Sequence, residues 1–134
     1  MTDERKLLPI MPTEKFSLDG YVAGSPAVEK ERADAAFAQV DELFRAVIER
    51  LRERNLNDRA GDFEVYRVML DDPAIVYDVD DLIRAGSSAP QAMLDAYEQS
   101  AKNFESMGEK RFCERAKEFR IVGNFLAKFI VENF

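Results

Sequence analysis

The chain has 134 residues, which is enough for one compact domain, and its 46% hydrophobic and 34% charged residues are typical of a protein that folds. Its formal net charge of -7 disfavours nucleic acid or an anionic membrane as a partner and favours a basic protein. The sequence contains no histidine, which excludes imidazole catalysis, phosphorylation of a histidine within the chain and the commonest metal ligand.

The first 26 residues show no sustained apolar period. They carry three of the five prolines of the chain, and this composition predicts an extended or poorly ordered N-terminal lead-in over residues 1–26. The pattern changes at Pro26. Ser25 can cap a helix whose first turn accepts this proline, and apolar residues at three- and four-residue steps extend the predicted helix from about Val28 to Arg54.

Two shorter helices are predicted next, and a proline separates them. Asp58 can cap the first of them, and Asp72-Pro73 ends it because proline pushes the preceding residue out of the helical region. The second ends at Gly86. Its expected inward-facing residues are Ile75, Val79, Leu82 and Ile83.

Two longer helices complete the chain. The first follows Ser88 and ends at the turn around Gly108, and the second carries an apolar stripe to the C-terminus. No stretch alternates between apolar and polar residues with a period of two, so no substantial sheet is predicted. The predicted fold is therefore all-α: an antiparallel bundle of about four to five helices over residues 27–134, with an extended N-terminal lead-in.

The acidic residues are concentrated in one window of the sequence. Between Asp58 and Asp81 the chain has eight carboxylates and only two arginines. Such a window is typical of a solvated helix face, and it is also compatible with an electrostatic docking surface that steers a basic partner. The charge pattern alone leaves both interpretations open.

The sequence offers no motif for catalysis or for metal binding. The serines have no imidazole to activate them and no Gly-x-Ser-x-Gly setting, and Asp78, Asp80 and Asp81 lack the glycine and the distal glutamate of a calcium loop. Cys113 is expected to be a packed or half-exposed thiol rather than a nucleophile. We therefore predict no catalytic residue, no metal site and no cofactor.

The cellular setting can also be predicted from composition. A single cysteine cannot form an internal disulfide, which suits a reducing compartment, and no apolar run approaches the roughly 18 to 20 residues of a membrane span. The sequence therefore predicts a cytoplasmic protein that is not inserted in a membrane.

Two segments carry motifs that are more specific than these patterns. They are Phe63-Glu64, Met69-Leu70 and Asp72-Pro73 in the second helix and at its end, and Glu114-Arg115-Ala116, Arg120 and Gly123 in the last helix. These motifs resemble the Phe-Glu…Met-Leu-x-Asp-Pro and Glu-Arg-Ala-x-Asp-x-Arg-Asp-x-Gly segments of a known family. The family is the N-terminal helical domain of Enzyme I, the phosphoenolpyruvate-protein phosphotransferase of the bacterial sugar phosphotransferase system, also described as the PEP-utilising enzyme N-terminal family. The resemblance covers roughly residues 28–134, with Glu118 and Ile121 where the family usually has aspartates.

The resemblance implies a partner and a set of contact residues. In that family the helical domain binds the histidine-containing phosphocarrier protein HPr, whose surface around its active histidine is basic and apolar. The acidic window thereby gains a candidate partner, an HPr-like phosphocarrier. The partner-binding residues that the resemblance implies are Glu64, Val68, Met69, Asp72, Ile75 and Arg115.

The departures from the family point to a role without catalysis. Enzyme I continues into a phosphohistidine domain and a barrel that binds phosphoenolpyruvate and magnesium, whereas the present sequence reaches Phe134 without a histidine. We therefore expect a non-enzymatic docking module. The alternative is a helical bundle that has lost HPr docking and serves another protein or self-association. The sequence predicts no oligomeric state.

Overall fold

The computed structural model describes residues 17–134, so most of the predicted lead-in, residues 1–16, lies outside the described residues. Five helices and no strand occur in the described part of the chain, which confirms the all-α prediction. No helix within residues 17–134 is long and apolar enough to cross a membrane. The helices are α1 (Pro26–Glu53), α2 (Asn57–Leu70), α3 (Pro73–Arg84), α4 (Ala89–Glu105) and α5 (Lys110–Asn133).

Three helices begin with the side-chain caps that suit their sequences. Ser25, Asp72 and Ser88 each accept a hydrogen bond from a backbone N–H in the first turn of α1, α3 and α4, respectively. Each cap satisfies an amide that has no partner within its own helix. A proline follows each cap by one or two residues, where its missing N–H costs no helical hydrogen bond.

The prediction that Asp58 caps α2 is wrong. The helix begins at Asn57, so Asp58 is already its second residue. The residue at the N-cap position is Leu56, whose side chain makes no capping hydrogen bond. The cause lies in the turn that ends α1, where Asn55 adopts a left-handed φ of 61° and the Leu56 N–H bonds back to the Leu51 carbonyl at 2.9 Å. The closed turn brings the chain into the helical conformation before Asp58 is reached.

The core is organised around Phe44 of α1. Its ring packs against Phe63 of α2 and Phe125 of α5, with centroid distances of 5.4 and 5.3 Å. The two short helices α2 and α3 both pack on α1, and α4 covers α3 and packs extensively on α5. Of the inward-facing residues predicted for α3, Leu82 is only half-buried, while the other three are buried.

A close approach between α4 and α5 depends on a glycine. Gly123 of α5 lies against Tyr97 of α4, and a Cβ atom placed on Gly123 would meet the Tyr97 Cβ at 2.6 Å. The same two helices are also joined at the surface by Arg120, whose guanidinium donates to the carboxylates of Glu98 and Glu105 at distances of 2.7 to 3.0 Å. Steric fit and a bidentate ion pair therefore act at the same interface.

A buried carboxylate fastens the N-terminal segment to the bundle. Glu29 is only 2% exposed, and it accepts hydrogen bonds from the Tyr21 hydroxyl at 2.8 Å and from the Ala89 N–H at 3.0 Å. It also accepts from the Gly24 N–H and pairs with the Arg32 guanidinium at 3.1 Å. Because these partners come from the N-terminal segment, α1 and the start of α4, one side chain joins three parts of the fold.

Candidate docking surface

A surface depression of the bundle lies between α2 and α5. It has a volume of about 730 Å³, and we call it the α2–α5 groove. Its lining is mostly apolar, and charged side chains stand among the apolar ones. The lining residues are Val65, Val68, Met69, Asp72, Phe104, Arg111, Phe112, Arg115 and Phe119.

Four of the six residues implied by the family resemblance come together in this groove. They are Val68, Met69 and Asp72 from the end of α2 and the turn after it, with Arg115 from the first turns of α5. Val68 is 72% exposed, whereas Met69 is only 5% exposed and forms part of the groove's inner lining. A large apolar side chain so exposed beside further apolar surface is typical of a contact site.

The structure corrects the placement of the other two residues. Ile75 is 1% exposed in the core, because α3 turns this side chain toward the other helices, so it offers no contact surface. Glu64 remains exposed, but it is not part of the groove lining, and its carboxylate pairs with Arg52 of α1. The expected apolar contact at Ile75 is therefore absent from this surface, and Glu64 lies outside the groove.

The charged groups that line the groove are held by local contacts. The Arg111 guanidinium pairs with Glu109 at 2.9 Å and lies 4.8 Å from the centre of the Phe112 ring, while Arg115 pairs with Glu118 at 2.7 Å. Three of these four side chains are exposed and Glu118 is partly buried, and ion pairs so accessible to solvent typically contribute about 0 to 1 kcal/mol. A partner can therefore replace them at little cost.

The groove continues into a charged region toward the start of α2. This extension has a volume of about 510 Å³ and shares Val65, Arg111 and Arg115 with the α2–α5 groove. Part of the acidic window thus lies beside the apolar groove, where it can act on the same partner. The carboxylates in the lining of the extension are Asp58, Asp62, Glu114 and Glu118.

A hydrogen bond from Tyr97 of α4 holds the turn that carries Asp72. The Tyr97 hydroxyl is fully buried and donates to the Met69 carbonyl at 2.8 Å. That carbonyl belongs to the last turn of α2, where the carbonyls have no partner within the helix. Burial raises the pKa of Tyr97 well above its ordinary value of 10, so the hydroxyl remains protonated and available as a donor.

The Tyr97→Phe substitution is expected to lower the free energy of unfolding by about 1 kcal/mol, because it leaves the Met69 carbonyl without its donor. Urea unfolding followed by circular dichroism measures the change. Tyr77→Phe is the matched control, since the Tyr77 side chain is 66% exposed and makes no hydrogen bond to the described residues. Equal losses in the two variants would show that the buried hydrogen bond does not stabilise this turn.

The sequence patterns missed several groove residues. Val65, Phe104, Arg111 and Phe112 line the groove, but none of them is among the six predicted partner-binding residues. Phe104 and Phe112 pack together with their ring centroids 5.8 Å apart across the turn between α4 and α5. Their signal in the sequence is helical spacing alone, which does not distinguish a core residue from one that lines a groove.

Comparison with known proteins places these features in a family. A family model described as "PEP-utilising enzyme, N-terminal" matches residues 9–115. The phosphoenolpyruvate-protein phosphotransferase of Haloferax volcanii is 35% identical over 97 residues, which cover 72% of this chain. The chain spans only 17% of the length of that relative. The family match ends at Arg115, so it covers every lining residue of the groove except Phe119.

Proposed function

The chain belongs to the PEP-utilising enzyme N-terminal family, and we propose that it is a docking module that binds an HPr-like phosphocarrier protein through the α2–α5 groove. The observation that carries this proposal is the exposed Val68 side chain beside the apolar lining of the groove, with charged residues around it. Interfaces that form and dissociate commonly combine an apolar centre with a charged rim. The acidic extension supplies the charge that attracts a basic partner.

The proposed role is non-catalytic and cytoplasmic. The 134 residues include no histidine to accept a phosphoryl group, and the described residues contain no cluster of three or more potential metal ligands. Docking requires neither group, because it depends on shape, apolar area and charge. In this proposal any phosphoryl transfer takes place outside these 134 residues.

A second function is favoured by two specific observations. The groove presents Arg111 and Arg115, which do not complement a basic surface, and the predicted contact Ile75 is buried. These features suit a bundle that has lost HPr docking and binds another protein or a second copy of itself. The same groove would then select a partner with an acidic group near its apolar contact.

An NMR titration of the isotope-labelled chain with HPr from the same organism tests the first proposal. We expect shifts at Val65–Asp72 and at Arg111–Arg115, and we expect binding to weaken as the salt concentration rises. Val68→Asp should weaken binding by about tenfold or more, because it places a charge at the apolar centre of the contact. Val22→Asp is the control, since Val22 is equally exposed but lies on the N-terminal segment.

The outcomes separate the two proposed functions. Shifts confined to the groove and lost in Val68→Asp support HPr docking. The absence of shifts at near-millimolar HPr would contradict it and direct the search to an acidic partner or to self-association. Sedimentation equilibrium of the chain alone then distinguishes these two cases.

A further inference from the structure

A separate pocket lies between α4 and α5, and it shares no lining residue with the α2–α5 groove. We call it the α4–α5 pocket, and its volume is about 300 Å³. This volume is at the lower end of the range that is usual for ligand pockets. The pocket therefore has room for a small molecule or for one side chain of a partner.

The walls of the α4–α5 pocket are apolar. Leu94 and Tyr97 of α4 line it with side chains that are 5% and 0% exposed. On the α5 side, Gly123 lies against Tyr97 and has no side chain to fill the space. The Tyr97 hydroxyl is engaged with the Met69 carbonyl. These walls can therefore pack against the alkyl part of a ligand.

Asn124 is a polar residue in an otherwise apolar stretch of α5. It lines the pocket, and it is only 7% exposed. It lies among six consecutive buried residues, from Val122 to Ala127, and the other five are apolar or glycine. Its side-chain amide makes no hydrogen bond to any residue in the described part of the chain, residues 17–134.

A buried carboxamide without a partner departs from the usual rule for folded proteins. Buried polar side chains nearly always have a hydrogen-bond partner, because an unsatisfied group loses its bonds to water without replacement. Glu29, the other buried polar residue of the described chain, follows this rule with four donors. The polar atoms of Asn124 are not sealed off from solvent, so a group that enters the pocket can bond to them.

The charges at the rim of the pocket cancel. Arg120 donates to the carboxylates of Glu98 and Glu105 at distances of 2.7 to 3.0 Å, and Lys102 adds a second positive charge. Two cations and two carboxylates leave no net charge that would attract an ion. The pocket instead offers hydrogen bonds and apolar surface, which suit a neutral polar ligand.

From the unpartnered amide of Asn124, the apolar walls and the neutral rim, we propose that the α4–α5 pocket binds a carboxamide. The ligand's carbonyl accepts a hydrogen bond from Asn124 Nδ2, and the ligand's N–H donates to Asn124 Oδ1. The alkyl part of the ligand packs against Leu94 and Tyr97. The carboxamide belongs to a free small amide or to a glutamine or asparagine side chain of a partner protein. This site does not depend on HPr docking.

An NMR titration of the full labelled chain with propionamide tests the site. We expect saturable shifts of the Asn124 side-chain amide and of the Leu94, Tyr97 and Gly123 backbone amides, with a Kd on the order of millimolar for so small a ligand. Butanone has a methyl group in place of the amide nitrogen, and propionate has a charged oxygen there. Both should bind at least about fivefold more weakly. Equal binding of butanone, or the absence of saturable shifts, would overturn the proposal.

Variants of α5 show whether Asn124 is the contact. Asn124→Leu should weaken the binding of propionamide by about tenfold or more, because it removes both hydrogen bonds. Asn133→Leu is the control and should leave the affinity unchanged, since Asn133 is exposed on the same helix. If leucine does not fit and the variant fails to fold, Asn124→Ala provides the same comparison. Unchanged affinity in a folded Asn124 variant would overturn the proposal.

A pair of capped tripeptides distinguishes the two sources of the carboxamide. In one peptide a glutamine lies between two glycines, and in the other a glutamate takes its place. If the glutamine peptide binds at least as tightly as propionamide and the glutamate peptide binds more weakly, the ligand is a side chain of a partner protein. If propionamide binds and the glutamine peptide does not, the pocket excludes a peptide backbone, and the ligand is a free small amide.

Discussion

Replacing Glu29 by alanine is expected to lower the free energy of unfolding by about 3 kcal/mol, the largest effect of any single substitution proposed for this chain. The substitution removes the acceptor of the Tyr21 hydroxyl and of the Ala89 and Gly24 amides, and it leaves the Arg32 guanidinium beside an empty space. Buried donors that lose their acceptor are costly, and here several lose it at once. Urea unfolding near neutral pH measures the loss.

The contribution of Glu29 should also depend on pH in a defined direction. Burial alone raises the pKa of the Glu29 carboxyl, but the hydrogen bonds led by that from the Ala89 amide outweigh burial and hold the pKa below its ordinary value of 4.5. A carboxyl with a lowered pKa stabilises the fold fully above pH 4.5, and this stabilisation is lost as the pH falls through the folded pKa. The difference between wild type and Glu29→Ala should therefore shrink in acid.

Glu31→Ala is the control for both measurements. Glu31 lies two residues further along α1 and is exposed, so its replacement should change the free energy of unfolding by no more than about 0.5 kcal/mol at any pH. If Glu31→Ala and Glu29→Ala cost the same, the anchoring role of Glu29 is disproved. A loss in Glu29→Ala that stays constant with pH would disprove the assigned ionisation.

The second large effect is expected at the interface of α4 and α5. Gly123→Ala should destabilise the protein by about 2 kcal/mol, because the new methyl group would lie 2.6 Å from the Tyr97 Cβ and 3.4 Å from the Met93 carbonyl oxygen. Both neighbours belong to the body of α4, so relief requires the two helices to move apart. Alanine is otherwise the better helix former, which makes a loss of stability diagnostic of the close contact.

Gly61→Ala provides the matched comparison in the same chain. Gly61 is also inside a helix, and a Cβ atom there would meet nothing within 4 Å. This substitution is expected to stabilise the protein by up to about 1 kcal/mol through helix propensity alone. Thermal unfolding of the two variants should therefore shift in opposite directions. Stabilisation by both would refute the tight packing between Gly123 and Tyr97.

The helices were predictable from sequence because their ends carry local chemical signals. Ser25 and Ser88 cap the helices that they were expected to precede, and Asp72-Pro73 separates α2 from α3 as predicted. Such signals act within one turn of the chain and do not depend on the rest of the fold. The start of α2 was missed because it follows a turn closed by backbone contacts, which Asn55 alone does not reveal.

The candidate site was only partly predictable, because burial depends on how helices pack. The spacing of Met69 and Ile75 shows that both are apolar positions on helices, but only the packed structure shows that Met69 lines a groove while Ile75 is enclosed. No pattern in the sequence predicted the buried role of Glu29. An acidic residue in the first turn of a helix suggests a solvent-exposed partner of the helix dipole, whereas its hydrogen-bond partner at Ala89 lies 60 residues further along the chain.

The Glu29 anchor also determines how the bundle would bear mechanical load. A pull on the chain at Tyr21 is not transmitted to α1 alone, since the Glu29 carboxylate connects that segment to the first amide of α4. The force is then shared between α1 and α4. The hydrogen bonds that Glu29 accepts must break together before either helix can separate from the N-terminal segment. Forced unfolding is governed by the unfolding rate. Because the same Glu29 hydrogen bonds hold the N-terminal segment, α1 and α4, we expect the segment and the bundle to unfold in one step when the chain is stretched from this end.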